Sequence, residues 1–183
     1  MQTNKKHESM VDVGDIMYVH ECDSIRPYLD GQVLDVCCGY RSAIDDEIRL
    51  DIDPTKKPDI LASADAIPTP DNQFDSLYSI HGFEHIADGD KTLKEWLRVV
   101  KDGGYIAIVH PDLDYTGPQI GEKLNVSLQA DPHNKHYKEY NYKAFLAWIK
   151  RRQKFGFEVV DSGDAQPKWS FYVILKVRKE GVK

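Results

Sequence analysis

Two short apolar runs, each ending in an aspartate, constrain this chain more than anything else in its sequence. The first, Gln32–Gly39 (QVLDVCCG), sets Val33, Leu34 and Val36 around Asp35 and stops at Gly39. A nearly continuous apolar run closing on glycine reads as a strand buried on both faces, as in a parallel sheet covered by helices. Asp35 is the anomaly, because a carboxylate there is costly to bury unless it receives hydrogen bonds or faces a ligand. Gly39 falls where the backbone must turn sharply, with no Cβ between the main chain and a bound molecule. A plain buried strand with a satisfied Asp and a turn glycine would read the same way. The second run, Arg49–Pro54 (RLDIDP), places Asp51 sixteen positions after Asp35. In doubly wound nucleotide-binding sheets an acid about 20 positions past the first turn accepts hydrogen bonds from ribose. A carboxylate suits that task because it can accept from both hydroxyls of a diol. The dinucleotide pattern G-x-G-x-x-G is missing, since the turn reads Cys37-Cys38-Gly39-Tyr40-Arg41-Ser42. That argues against a dinucleotide and for a smaller adenosine-containing ligand.

The remaining punctuation extends this sheet. Val11–Asp30 suggests a short helix beside the first strand, limited by Pro27. Ile48–Ile52 and Ile60–Ala62 read as the second and third strands, and Phe74–Ile80 as the fourth. Asp90 is the expected N-cap of a helix whose apolar face is Leu93, Trp96, Leu97 and Val100. Asp102-Gly103-Gly104 is expected to end that helix and lead into a fifth strand, Tyr105–Val109. Phe145, Trp148, Ile149 and Arg152 mark a further helix, followed by strands at Phe157–Val160 and Ser170–Val177. Residues 1–10 read as a disordered tail and 11–183 as a single domain.

With these motifs in order (VLDVCCG, RLDIDP, ASADAIPTPDNQFDSLYS, HGFEHI, LKEWLRVVKDGGYIAIVHPDLD, FGFEVV), the chain resembles a class I S-adenosylmethionine-dependent methyltransferase over roughly residues 32–161. Within that superfamily it looks most like small, short-looped methyltransferases associated with glycan or polysaccharide biosynthesis. The resemblance implies an α/β, Rossmann-like fold: a mostly parallel seven-stranded sheet with an antiparallel last strand and helices on both faces. The first crossover helix is expected to be shortened, because only Tyr40–Glu47 separate the first turn from the second strand. Cys37 and Arg41 stand where the family commonly has glycine. The implied cofactor is S-adenosyl-L-methionine, held by Asp35, Cys37, Cys38, Gly39, Asp51, Ile52, Ser63, Ala64, Asp65, Ser79, Ile80 and His81. Ser63 stands where the family often has Asp, and Ala64 would offer its backbone to the adenine.

Methyl transfer from a sulfonium mainly requires the nucleophile to be held in line, with a base only where the acceptor must lose a proton. His110, at the end of the fifth strand, is the candidate base, with His85 a weaker one. A turn histidine before Pro111 explains His110 equally well. His81-x-x-Glu84-His85 matches the letters of an H-x-x-E-H zinc peptidase, but that motif needs a continuous helix, and here Gly82 interrupts it directly after a strand. A magnesium site is weakened by His81 standing where an acid is wanted. Structural hydrogen bonds from Glu84 and His85, with no metal, are the expectation. Asp114–Tyr140 has no repeat period, and loops of that length in compact domains are usually functional. Residues 115–140 are therefore expected to form an acceptor-side lid, with His133, His136, Tyr137 and Tyr140 facing a small polar or anionic acceptor such as a sugar, glycan precursor or nucleotide-like molecule. A non-catalytic S-adenosylmethionine-binding regulator is the alternative reading.

Charge narrows the partners. The chain carries 24 Lys/Arg against 30 Asp/Glu, and net acidity disfavours non-specific nucleic-acid binding. Residues 115–183 alone hold 13 Lys/Arg against 7 Asp/Glu, which suits a locally anionic substrate or simply a solvated lysine face. No run approaches the roughly 18 apolar residues of a membrane span, and MQTNKKHES has no apolar segment behind its lysines. Three cysteines make no disulfide framework. A cytoplasmic location is the expectation, and Cys37-Cys38 reads as a buried pair of small residues.

Overall fold

Side chains alternate across each strand with a period of two, so one sheet presents two apolar faces and each must be covered. In the computed structural model, which describes residues 13–117 and 135–179 (side chains from Tyr18 onward), seven strands form that sheet in the order β3-β2-β1-β4-β5-β7-β6. They are β1 (Val33–Val36), β2 (Ile48–Asp51), β3 (Ile60–Leu61), β4 (Phe74–Ile80), β5 (Val100–Pro111), β6 (Phe157–Gln166) and β7 (Ser170–Val177). β1 to β5 pair in parallel, while β7 runs antiparallel to both of its neighbours. The strand order reverses between β1 and β4, so their carboxyl ends open the crevice in which ligands of such sheets sit.

Leu34, Val36, Leu77, Ile106, Ile108, Val173 and Leu175 point to one face. There they meet Leu93, Trp96 and Leu97 of α2 (Gly89–Val99) and Phe145, Trp148 and Ile149 of α4 (Tyr142–Lys150). Val33, Tyr78, Ala107, Val109 and Ile174 point to the other, where Cys22 and Ile25 of α1 (Val13–Ile25) cover them. α1 gives way to a 3-10 turn at Arg26–Tyr28, where Pro27 removes a backbone donor.

Several boundaries differ from the sequence reading. The N-cap of α2 is Asp88, whose Oδ1 accepts from the Asp90 N–H at 3.1 Å and the Lys91 N–H at 3.0 Å. Asp90 is instead the second residue of the helix, bonded to Arg152 Nε at 2.5 Å. Val100 begins β5 rather than ending the α2 face. The Asp102-Gly103-Gly104 signal is an excursion inside β5: Phe74 pairs with Val100 and Ser76 with Tyr105, so Lys101–Gly104 stand opposite Asp75 alone. β6 continues to Gln166 because β7 offers it a partner along its length. The link after β1 contains no helix, since residues 37–47 form turns and bends only. Residues 1–12, including most of the expected tail, lie outside the described residues.

A Cβ at Gly104 would stand 2.4 Å from the Asp75 carbonyl oxygen and 2.8 Å from Val100 Cγ1. Backbone on one side cannot rotate away, so Gly104→Ala is expected to destabilise the fold by about 1–3 kcal/mol. Urea denaturation measures this directly, and an unchanged midpoint would show that the excursion relaxes freely.

Candidate functional site

At the carboxyl ends of the strands lies a cavity of about 450 Å³. The turn after β1 contributes Cys37 to its wall, the end of β2 and the residues after it contribute Leu50–Asp53, and the link after β3 adds Ala62–Asp65. His81, His85 and Ile86–Asp88 close it from the β4 side, with Lys56 and Tyr137 at the rim. Of the residues expected to bind a cofactor, Cys37, Asp51, Ile52, Ser63, Ala64, Asp65 and His81 are therefore brought together. Asp35, Cys38, Gly39, Ser79 and Ile80 do not line the cavity. Gly39 and Cys38 stand behind the wall, their N–H groups bonded to Asp51 and Leu50.

Asp51 shows why the first turn holds its shape. Its Oδ2 accepts the Gly39 N–H at 3.1 Å and its Oδ1 the Asp53 N–H at 2.9 Å. Each oxygen retains a second lone pair for a ligand. Arg49 ties the same turn from outside, donating to Gly39 O at 2.8 Å and Cys38 O at 3.4 Å. Cys37 itself takes the left-handed conformation, φ 60°, in the turn the sequence left without its usual glycines. Gly82 is needed for packing: a Cβ there would meet Ser79 Oγ at 2.4 Å and Cys37 Cβ at 2.6 Å. Burial pushes both adjacent thiols up, that of Cys38 to about 12, so neither is a thiolate at neutral pH.

Asp35 is buried at the foot of this turn. Burial, and then the nearby Glu47 charge, raise its carboxyl well above the ordinary carboxylate range. Glu47 accepts from Tyr78 Oη at 2.6 Å, and Tyr78 Oη in turn accepts the Ala43 N–H at 3.1 Å. This buried network organises the helix-free link after β1.

The Ser63–Asp65 wall is also fixed from behind. Ser63 Oγ donates to Asp65 Oδ1 at 2.6 Å, and Lys91 Nζ reaches Asp65 Oδ2 at 2.9 Å. The Ala64 carbonyl accepts from Trp96 Nε1 at 3.0 Å, so that carbonyl is committed to the core.

On the β4 side, His81 has φ 53° and donates from Nε2 to Glu21 Oε1 at 2.6 Å, with Glu84 Oε1 3.7 Å from its Nδ1. Burial alone would depress this imidazole, but its hydrogen bond to Glu21 and the nearby Glu84 carboxylate prevail and push it up to about 10. Glu84 is buried too; burial alone would raise it, yet His81 and the neighbouring His110 hold it down at about 2. Ser170 Oγ donates to the same Glu21 oxygen at 2.5 Å, so one carboxylate of α1 joins β7 to the end of β4.

His110, the candidate base, lies away from the cavity. Its ring lies in the core, stacked on Phe171 at 5.4 Å and beside Phe145 at 5.2 Å, and it does not line the cavity. Its Nδ1 donates to Pro111 O at 2.7 Å, and burial lowers its pKa. The strand ends at Pro111, two residues later than expected, which carries the ring inward. His85 does line the cavity, inside a 3-10 turn (Phe83–His85) rather than a peptidase helix.

Of the expected lid, α3 (Leu113–Thr116) and residues 135–141 are described; His133 lies outside the described residues. The returning segment is pinned to the site, with Tyr137 N–H donating to Glu84 O at 2.9 Å and Leu113 N–H to Tyr140 O at 3.1 Å. Tyr137 faces the cavity. Tyr140 does not: it packs among His110, Phe145 and Trp148. His136 lies edge-on to His85, ring centroids 4.7 Å apart.

Two residues of this site escaped the sequence reading for different reasons. Asp53 was legible, two positions after Asp51 in a D-x-D pattern. Glu21 was not, because only the docking of α1 brings it to β4.

Comparison with known proteins agrees with this architecture. A SAM-dependent methyltransferase from Thermotoga maritima superimposes with a TM-score of 0.62 at 18% identity, covering 88% of this chain and 89% of that one. One from Aquifex aeolicus gives 0.61 at 15% identity, covering 91% and 94%. The chain has the class I methyltransferase fold. The methyltransferase-domain family model matches residues 43–108 of it. The ubiquinone/menaquinone biosynthesis C-methyltransferase UbiE of Shewanella sediminis is 37% identical over 60 residues, 33% of this chain and 22% of that protein. Its counterpart in Pasteurella multocida is 31% identical over 83 residues, 45% and 26% respectively. The chain thus matches about a quarter of the length of these curated relatives. The matched stretch of the methyltransferase fold runs from the link after β1 to the middle of β5, and so includes Asp51 and the Ser63–Asp65 wall. No helix among the described residues is long and apolar enough to cross a membrane.

Proposed function

We propose that this chain binds S-adenosylmethionine in the cavity at the strand ends and transfers its methyl group to a small polar acceptor. The observation that carries the reading is the convergence of Asp51, Ser63–Asp65 and His81 on one cavity at the switch point of a class I methyltransferase fold. In this reading Asp51 takes the ribose hydroxyls and Ser63–Asp65 edge the adenine. Cys37 and His81 flank the sulfonium. Asp35, Cys38, Gly39, Ser79 and Ile80 support those contacts from behind. The acceptor enters on the side of Tyr137 and His136. Aromatic faces there suit a ring or sugar, and the cations of 115–183 suit an anionic group. A nucleotide-linked sugar or glycan precursor fits that chemistry, and the names of the curated relatives add an aromatic quinone precursor as the rival acceptor.

The test is calorimetric binding of S-adenosylhomocysteine, followed by its release from S-adenosylmethionine across a panel of both acceptor types. Tyr137→Ala is expected to leave S-adenosylhomocysteine affinity within about threefold while lowering kcat/KM by roughly 10- to 100-fold. Loss of cofactor affinity in that variant would move Tyr137 to the cofactor's side. Binding without release for any acceptor would favour a non-catalytic S-adenosylmethionine-binding protein.

A further inference from the structure

Beside the cavity, one carboxylate oxygen of Glu84 and one ring nitrogen each of His85 and His136 lie within 4.8 Å of one another. They come from two segments about fifty positions apart, the turn after β4 and the segment returning to α4. The bond from Tyr137 N–H to Glu84 O, 2.9 Å, holds those segments together. We propose that Glu84, His85 and His136 bind one divalent first-row transition ion, zinc-like in its preferences, at the acceptor side of the cavity.

The hydrogen bonds around both histidines set them up as ligands. His85 Nδ1 is 3.3 Å from the Lys135 carbonyl oxygen, and His136 Nδ1 is 3.1 Å from Glu139 Oε1. A carbonyl and a carboxylate only accept, so in the neutral form of each ring the proton sits on Nδ1 and Nε2 keeps its lone pair. Metal-bound histidines are typically oriented in this way, with the second nitrogen donating to a carbonyl or carboxylate. An independent observation comes from Glu84: its side chain is 1% exposed, and its Oε2 has no hydrogen-bond partner among the described residues. A buried anion with an unused oxygen is costly unless something cationic completes it.

His81 is not a ligand, because its two ring nitrogens face the carboxylates of Glu21 and Glu84. Two imidazoles and one carboxylate suit zinc or its first-row neighbours over magnesium or calcium, which want mostly oxygen. Three protein ligands also leave a coordination position open, as catalytic rather than structural zinc sites do. If the methyl-transfer reading holds, that position is where an oxygen of the acceptor would sit. The sequence motif alone argued for structural roles, since H-x-x-E-H lacked its helix; His136 supplies the missing third ligand from a segment no spacing could relate to it.

The experiment uses the full chain, stripped with chelator and titrated with cobalt(II) and with zinc(II) in the absence of any S-adenosyl ligand. One ion per chain is expected, with visible d–d absorption for cobalt, competition by zinc, and none by a large excess of magnesium. His136→Ala should weaken binding by more than about 100-fold, and Glu139→Gln, which keeps every ligand, by roughly 10- to 100-fold. Circular dichroism checks the fold of each variant, and Glu139→Gln decides should His136→Ala unfold. Wild-type affinity in both variants, or magnesium displacing cobalt, overturns the proposal. A wild-type chain that binds S-adenosylhomocysteine but no ion also overturns it, and leaves the methyl-transfer reading standing.

Discussion

Asp51→Ala is expected to lower affinity for S-adenosylhomocysteine by roughly 30- to 1000-fold, about 2–4 kcal/mol, the largest effect of any single change at the cofactor wall. Two losses combine. The charge-assisted bonds to the ribose hydroxyls disappear, and the Gly39 and Asp53 N–H groups lose the carboxylate that aims them, at 3.1 and 2.9 Å. Asp51→Asn separates the two. Its single carbonyl oxygen can serve one backbone donor or one hydroxyl well, and its amide faces the other donor unfavourably. An intermediate loss is therefore expected for Asn. Titration calorimetry on both variants, with urea melts to check the fold, measures this. Affinity unchanged in Asp51→Ala would remove Asp51 from the ribose site, and with it the register of the whole cofactor reading.

Asp51 also shows which part of the site could be read from sequence. An acid closing an apolar strand has few reasons to be there, so both its place in the sheet and its place on the cavity followed from local pattern. Asp35 has the same pattern with a different outcome. It is buried, with Glu47 and Tyr78 in its network, because the helix-free link after β1 folds back over it. No local signal distinguishes a carboxylate that faces a ligand from one that faces a second carboxylate. His110 lies in the core for a related reason. Strand alternation fixes which face a residue points to, and His110 shares the face of Ile106 and Ile108, which α4 covers. That parity is available from the strand, but the expected strand end, Val109, falls two residues short of Pro111 and leaves His110 at the strand's edge, as base or turn histidine alike. The pairs Glu21–His81 and His85–His136 are tertiary, set by the docking of α1 and by the path of the segment before α4. Periodicity within an element carries no information about them.

Trp96→Ala is expected to destabilise the fold by about 3–5 kcal/mol, enough to exhaust much of the stability of a domain this size. Trp96 is fully buried, and α2 presents it at the centre of the larger core, edge-on to Phe83 with ring centroids 5.6 Å apart. Removing the indole leaves a cavity that β4 and β5 cannot close, because their own positions are fixed by the sheet. It also deprives the Ala64 carbonyl of its donor at 3.0 Å. Trp96→Phe isolates that second effect: most of the volume remains while the hydrogen bond is lost, and the expected cost falls to about 1–3 kcal/mol. Because Ala64 lines the cavity, the Phe variant should also bind S-adenosylhomocysteine more weakly than wild type although Trp96 itself does not line it. Urea denaturation and calorimetry on the same two variants separate the outcomes. Full cofactor affinity in Trp96→Phe, alongside a clear stability loss, would mean that the Ser63–Asp65 wall is held by the Ser63–Asp65–Lys91 chain alone and that the core has no part in shaping the adenine side.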